Sequence, residues 1–90
     1  MLFRSNDEMK KVTLSSPVKR GDAEISTVEL REPSAGELRG LDNFDVLRMN
    51  VGAHRTLIPR ISNITANEFD MLRPKDLIAV QQEVVAFFME

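Results

Sequence analysis

The chain lacks cysteine, carries a single histidine, and has no apolar run longer than Val84 to Met89. Each shortage removes a class of protein. Without thiols, neither disulfides nor a thiolate metal site can supplement the core, and the chain suits a reducing cytoplasm. The apolar run falls far short of the roughly 20 residues needed to cross a bilayer. Met1-Leu2-Phe3 followed at once by Arg4 lacks the apolar stretch of a signal peptide. These features predict a soluble, unexported protein.

Neither sign of charge dominates. Twelve basic against 14 acidic residues leave a net charge of -2 and a pI near 5.4, which argues against binding driven by phosphate contacts. The four glycines, Gly21, Gly36, Gly40 and Gly52, fit neither the dinucleotide nor the P-loop spacing. His54 shares a helical face with Leu47, Val51 and Ile58, so it reads as a structural histidine rather than a general base. Asp42 and Asp45 stand where a helix begins and read as capping residues rather than metal ligands. No cofactor, metal or catalytic residue is indicated, and the chain is expected not to be an enzyme.

What is present is a small domain. Ninety residues at 42% hydrophobic content make one unit that hides only about 60–65% of its unfolded surface. The core is therefore expected to be thin, with association able to supplement it. Residues 1–9 have no period and read as a flexible tail; 10–90 form the domain.

From Lys10 to Ser16, Val12 and Leu14 alternate with polar residues, the pattern of a strand with one buried face. Pro17 is expected to end it. Lys19-Arg20-Gly21-Asp22 supplies a turn in which Gly21 takes positive φ, and Ile25 to Leu30 reads as the returning strand. Ile25 has the opposite parity from Val28 and Leu30, which demands either a bulge near Ser26-Thr27 or apolar groups on both faces. A lone hairpin is marginal in water, so it must pack on the helices that come after it.

In the run Arg31-Glu32-Pro33-Ser34-Ala35-Gly36-Glu37-Leu38-Arg39-Gly40-Leu41, Pro33 stops the strand and Ser34 with Glu37 has capping-box spacing. Gly36 lowers helix propensity by about 1 kcal/mol relative to alanine, which suggests a close backbone approach or a permissive turn. Gly40 closes the helix. A second helix is expected from Asp42-Asn43 to Ile58, with Leu47, Val51, His54 and Ile58 facing the core and Pro59 ending or bending it. Thr65 and Glu68 repeat the capping box and start a short helix with Phe69 and Leu72. Pro74 then opens the last helix, with Asp76 near its positive end. The predicted fold is α+β: an N-terminal β-hairpin with three to four α-helices packed against it.

The last helix is apolar over far more than the roughly 100° arc of a helix packed on one side. Lys75, Ala79, Gln82, Glu83, Ala86 and Glu90 form one narrow stripe; most other positions are apolar. Either the helix lies in the middle of the domain or it offers its surplus to a partner. The second reading makes Leu77, Val80, Val84, Phe87 and Phe88 candidate contact residues. Arg48 and Arg55, seven apart, with Arg60 and Arg73 near them in sequence, raise the rival of a small helix-turn-helix DNA-binding regulator, weakened by the acidic pI and by Asp45 standing three residues from Arg48. A small acid–base enzyme would need His54 joined to carboxylates.

The order of hairpin, LREPSAGELRGL, leucine-bearing helix and ITANEFDMLRPKDLIAVQQEVVAFF resembles the tail assembly chaperones of Mu-like and related tailed bacteriophages, from about Val12 to Phe88. The best-matching pieces are Arg31, Pro33, Gly36, Glu37 and Leu38, with Ser34 as their cap, and Leu72, Pro74, Asp76 and Leu77. Glu37 stands where aspartate is more usual, which leaves the capping role intact. The resemblance implies a non-enzymatic protein of the bacterial host cytoplasm, absent from the finished virion. Such a protein coats the hydrophobic tape-measure protein and helps recruit tail-tube subunits, with no nucleic acid or membrane as partner. Members are commonly made in two lengths by translational frameshifting, and the resemblance casts this chain as the shorter form.

Overall fold

A computed structural model describes residues 9–89. The expected tail lies outside them, except for Met9, which already begins the first strand. Strand β1 (Met9–Arg20) and strand β2 (Ala23–Arg31) form an antiparallel hairpin. A single 3-10 turn comes next (Ala35–Leu38), then α1 (Asn43–Leu47), α2 (Val51–Ile61), α3 (Ala66–Asp70) and α4 (Pro74–Phe87). The fold is α+β, as the sequence predicts.

Arg20 pairs with Ala23 across a two-residue turn, Gly21-Asp22, and Gly21 has φ +59, a conformation glycine adopts without steric cost. The odd parity of Ile25 coincides with an interruption of the ladder. Thr13 pairs with Thr27, and the next pair is Val18 with Ile25, so Leu14, Ser15, Ser16 and Pro17 all stand opposite Ser26. Directly opposed residues share a face of a sheet. Val12–Val28 on one side of the interruption and Val18–Ile25 on the other are all buried in the core, so β2 changes face between Val28 and Ile25. The interruption falls at Ser26 of β2, where the first alternative expects it, and the surplus residues lie in the facing stretch of β1. Pro17 does not end the strand: it sits in the unpaired stretch, where its missing amide costs no ladder bond.

The expected continuous helix from Asp42 to Ile58 is two helices. Met49 has φ 63 and breaks it, and the Asn50 side chain caps α2 by accepting from the Ala53 amide at 2.9 Å. The break resets the helical phase. Ala53, His54, Leu57, Ile58 and Ile61 become the buried face, while Val51 is left half exposed and Leu47 only partly buried. Pro59 lies inside α2 rather than ending it. It removes one helical hydrogen bond, but burial of Ile58 and Ile61 on either side holds the final turn.

The core is one cluster. Val12, Val18, Val28 and Leu30 from the hairpin meet Val46, Leu57, Ile58 and Ile61 from α1 and α2, with Phe69 from α3 and Val80, Val84 and Phe87 from α4. Both strands and all four helices contribute, so the hairpin gains the packing that it needs to be stable.

Candidate functional site

The arginine–proline run is built as a fastening. Arg31, the last residue of β2, grips the Glu37 carboxylate with both terminal nitrogens, one of them at 2.8 Å from Oε1. It also donates to the Arg60 carbonyl at 2.9 Å. Ser34 and Glu37 form a capping box, in which the Ser34 amide donates to Glu37 Oε1 at 3.0 Å, and the Glu37 amide also closes the turn on the Ser34 carbonyl at 3.0 Å. Arg31 foremost, aided by these bonds, holds the Glu37 carboxyl below its ordinary pKa. Arg60 returns the link from α2, donating to the carbonyls of Glu37 at 2.7 Å and Arg39 at 3.1 Å. Leu38 packs against the core. Pro33 and Phe88 line a small recess with Glu32 and Phe87.

The second motif fastens the other end of the hairpin. Asp76 is 3% exposed and accepts from the amides of Ser15 at 2.9 Å and Ser16 at 3.3 Å, and from the Ser15 hydroxyl at 3.2 Å. These amides belong to the stretch of β1 that β2 leaves unpaired. Asp76 therefore does more than favour the positive end of α4; it supplies the bulge with acceptors, and the Ser15 amide is the main cause of its lowered pKa. Sequence patterning missed this bond because no local period links residues 61 apart.

Glu68 also has a role beyond its capping box with Thr65. It receives Arg20 from the hairpin at 2.7 and 2.6 Å, and its pKa falls to about 2, chiefly through that guanidinium. Gln81 is a further tertiary residue that no sequence pattern marks. It is buried, and its side-chain amide donates to the Met49 carbonyl at 3.0 Å, capping the break between α1 and α2.

The candidate contact residues of α4 separate into two groups. Val80 and Val84 are fully enclosed and Phe87 is 7% exposed, all three within the core cluster. Leu77 and Phe88 are half-buried at its margin. The apolar surface left to solvent begins beside them: Ile78 is 45% exposed and Met89 72%, with half-buried Val85 between them. At 100° per residue, Ile78 and Val85 fall on one stripe of α4, and Met89 lies two residues past the end of the helix.

His54 is enclosed by the core. Its Nε2 donates to the Val46 carbonyl at 2.7 Å, which fixes the tautomer because a carbonyl only accepts. Nδ1 has no partner. Burial is the main reason its pKa is lowered, and no carboxylate joins it as an acid–base site would require. Among the described residues, no group of three or more His, Cys, Asp or Glu is placed to hold a metal ion.

Three of the four arginines that suggested a basic face are engaged; Arg73 is exposed at the start of α4. Arg48 pairs with Asp45 at 2.6 Å, Arg55 with Asp70 at 2.8 Å, and Arg60 with backbone carbonyls. This pairing disfavours a DNA-binding regulator. Gly36 is neither at positive φ nor closely approached, since an added Cβ would meet only Ser34 Oγ at 3.9 Å; the close approach that its presence suggested is absent. No described helix is long and apolar enough to cross a membrane.

The result is a small α+β domain whose two motifs lock its own hairpin to its helices. Residues 11–89 match the family described as "Phage tail assembly chaperone proteins, E, or 41 or 14", and the chain belongs to that family. It is 40% identical over 78 residues to Tail assembly protein E of Escherichia phage P2, covering 84% of this chain and 86% of that protein. It is 39% identical over 80 residues to Tail assembly protein E' of the same phage, covering 87% of this chain but only 56% of that protein. The chain thus spans little more than half the length of the second relative. No solved structure matches it.

Proposed function

We propose that this protein acts without catalysis, in the host cytoplasm, by holding apolar segments of the tape-measure protein during tail assembly and yielding them as tail-tube subunits arrive. The observation that carries this reading is the apolar surface formed by Ile78 and Val85 on α4 with Met89 just past its end, beside Leu77 and Phe88 at the core margin. An amphipathic partner helix docks on such a surface through its own apolar face, and the adaptable Met89 suits partners of varied shape. Val80, Val84 and Phe87 serve the contact indirectly, by anchoring the helix that presents it.

The test is co-expression with the tape-measure protein. The double variant Ile78→Ser, Met89→Ser and the single variant Phe88→Ser should lose the ability to keep the tape measure soluble while circular dichroism shows an intact fold. Full rescue by folded variants would discard the reading.

A further inference from the structure

Gly36 is unexplained by the fold. Its φ is not positive, nothing crowds the space where its Cβ would stand, and glycine weakens the turn it occupies. It does, however, line an open recess with Glu37, Arg39 and Arg60. A side chain at position 36 would stand in that space.

The recess is unbalanced in charge. The Glu37 carboxylate is already closed by Arg31 and the Ser34 amide. Arg60 uses one terminal nitrogen on the carbonyls of Glu37 and Arg39. Among the described residues no carboxylate pairs with the guanidinium of Arg39 or of Arg60. Arg39 and Arg60 thus both line one open space in a chain whose net charge is -2.

We propose that this recess is a second contact surface, separate from α4, that receives a carboxylate-bearing segment of a protein partner. A planar guanidinium offers paired donors whose spacing matches a carboxylate. The missing side chain at position 36 lets the acidic group reach them. A phosphate backbone fits less well. The recess is lined by only two arginines, and Arg20, Arg48 and Arg55 are each closed against a carboxylate of this chain, so no row of free guanidiniums follows a backbone. This assignment goes beyond the apolar reading of α4 and does not depend on it.

The test uses the full chain and fluorescence anisotropy of a labelled oligoglutamate peptide, beside a labelled oligothymidylate of similar charge. The wild type should bind the peptide at low salt and lose it as salt is raised. Arg39→Gln and Gly36→Leu should each weaken binding about tenfold, the first by removing a fork of donors and the second by filling the recess. Arg48→Gln should leave it unchanged. Both test positions are exposed, and circular dichroism checks that the fold survives. Peptide affinity insensitive to both folded variants would overturn the assignment, as would oligothymidylate binding as tightly as the peptide.

Discussion

The carboxylate of Asp76, in the first turn of α4, accepts the backbone amide of Ser15 at 2.9 Å from a residue 61 positions earlier in the chain. That bond joins the two halves of the fold at the point where the hairpin ladder is interrupted. It also accounts for how β1 continues past Pro17: the amides that lose their strand partner find one on a helix.

Asp76→Ala should therefore destabilise the protein more than an ordinary surface change. Two amides and a hydroxyl lose a charged acceptor, partly replaced by water because Ser15 is exposed, so the expected loss is about 1–3 kcal/mol. Urea unfolding checks it. A loss within about 0.5 kcal/mol, typical of an ordinary surface substitution, would mean that the bulge does not need this clamp.

Acid should loosen the same joints. Glu68 has a folded pKa of about 2 against an ordinary 4.5, and Asp76 is also lowered. Their stabilisation is fully present above their ordinary carboxylate values and is lost as pH falls through that window toward 2. The urea midpoint should decline steadily below about pH 4.5. Glu68→Gln should flatten the decline, because its side chain no longer titrates. An equally steep profile in that variant would remove Arg20–Glu68 as a cause.

His54 gives a signal at higher pH. Its lowered pKa means the unfolded chain takes up a proton first, so its neutral form stabilises the fold fully above about pH 6.5 and progressively less below it. Proton NMR of its ring should show a titration midpoint below about 6.5 in the folded protein. A midpoint at or above that value would contradict the enclosed, singly bonded ring.

Substitutions along α4 should divide by depth. Val84→Ala opens a cavity at a fully buried site and should cost about 2 kcal/mol, and Leu57→Ala on α2 about 2–5 kcal/mol. Ile78→Ser at the exposed position should change stability by no more than about 0.5 kcal/mol. Thermal or urea unfolding of the three variants separates them, and equal losses would mean that Ile78 is covered in the isolated chain.

The features legible from sequence were local ones. Gly21 in a two-residue turn, the capping boxes Ser34–Glu37 and Thr65–Glu68, and Pro74 at the start of α4 each act over a span of three or four residues. Their outcome hardly depends on what packs nearby. The continuations through Pro17 and Pro59 and the break at Met49 share another cause. Each breaks a local rule, and each is tolerated because something distant compensates: Asp76 for the strand, Gln81 for the helix break, and the burial of Ile58 and Ile61 for the last turn of α2. The excess of apolar residues on α4 was legible, but which of them faces solvent was not.

The order of hairpin and helices, the turn chemistry and the likeness to tail assembly chaperones all lie in the sequence, because propensity, capping and motif spacing are properties of neighbouring residues. Packing in three dimensions was needed to make clamps of Arg31 and Asp76, to assign Val80, Val84 and Phe87 to the interior, and to leave Ile78 and Met89 outside. Those assignments depend on which elements meet across the core, and such meetings are set by shape and by the pairing of buried polar groups rather than by any local period.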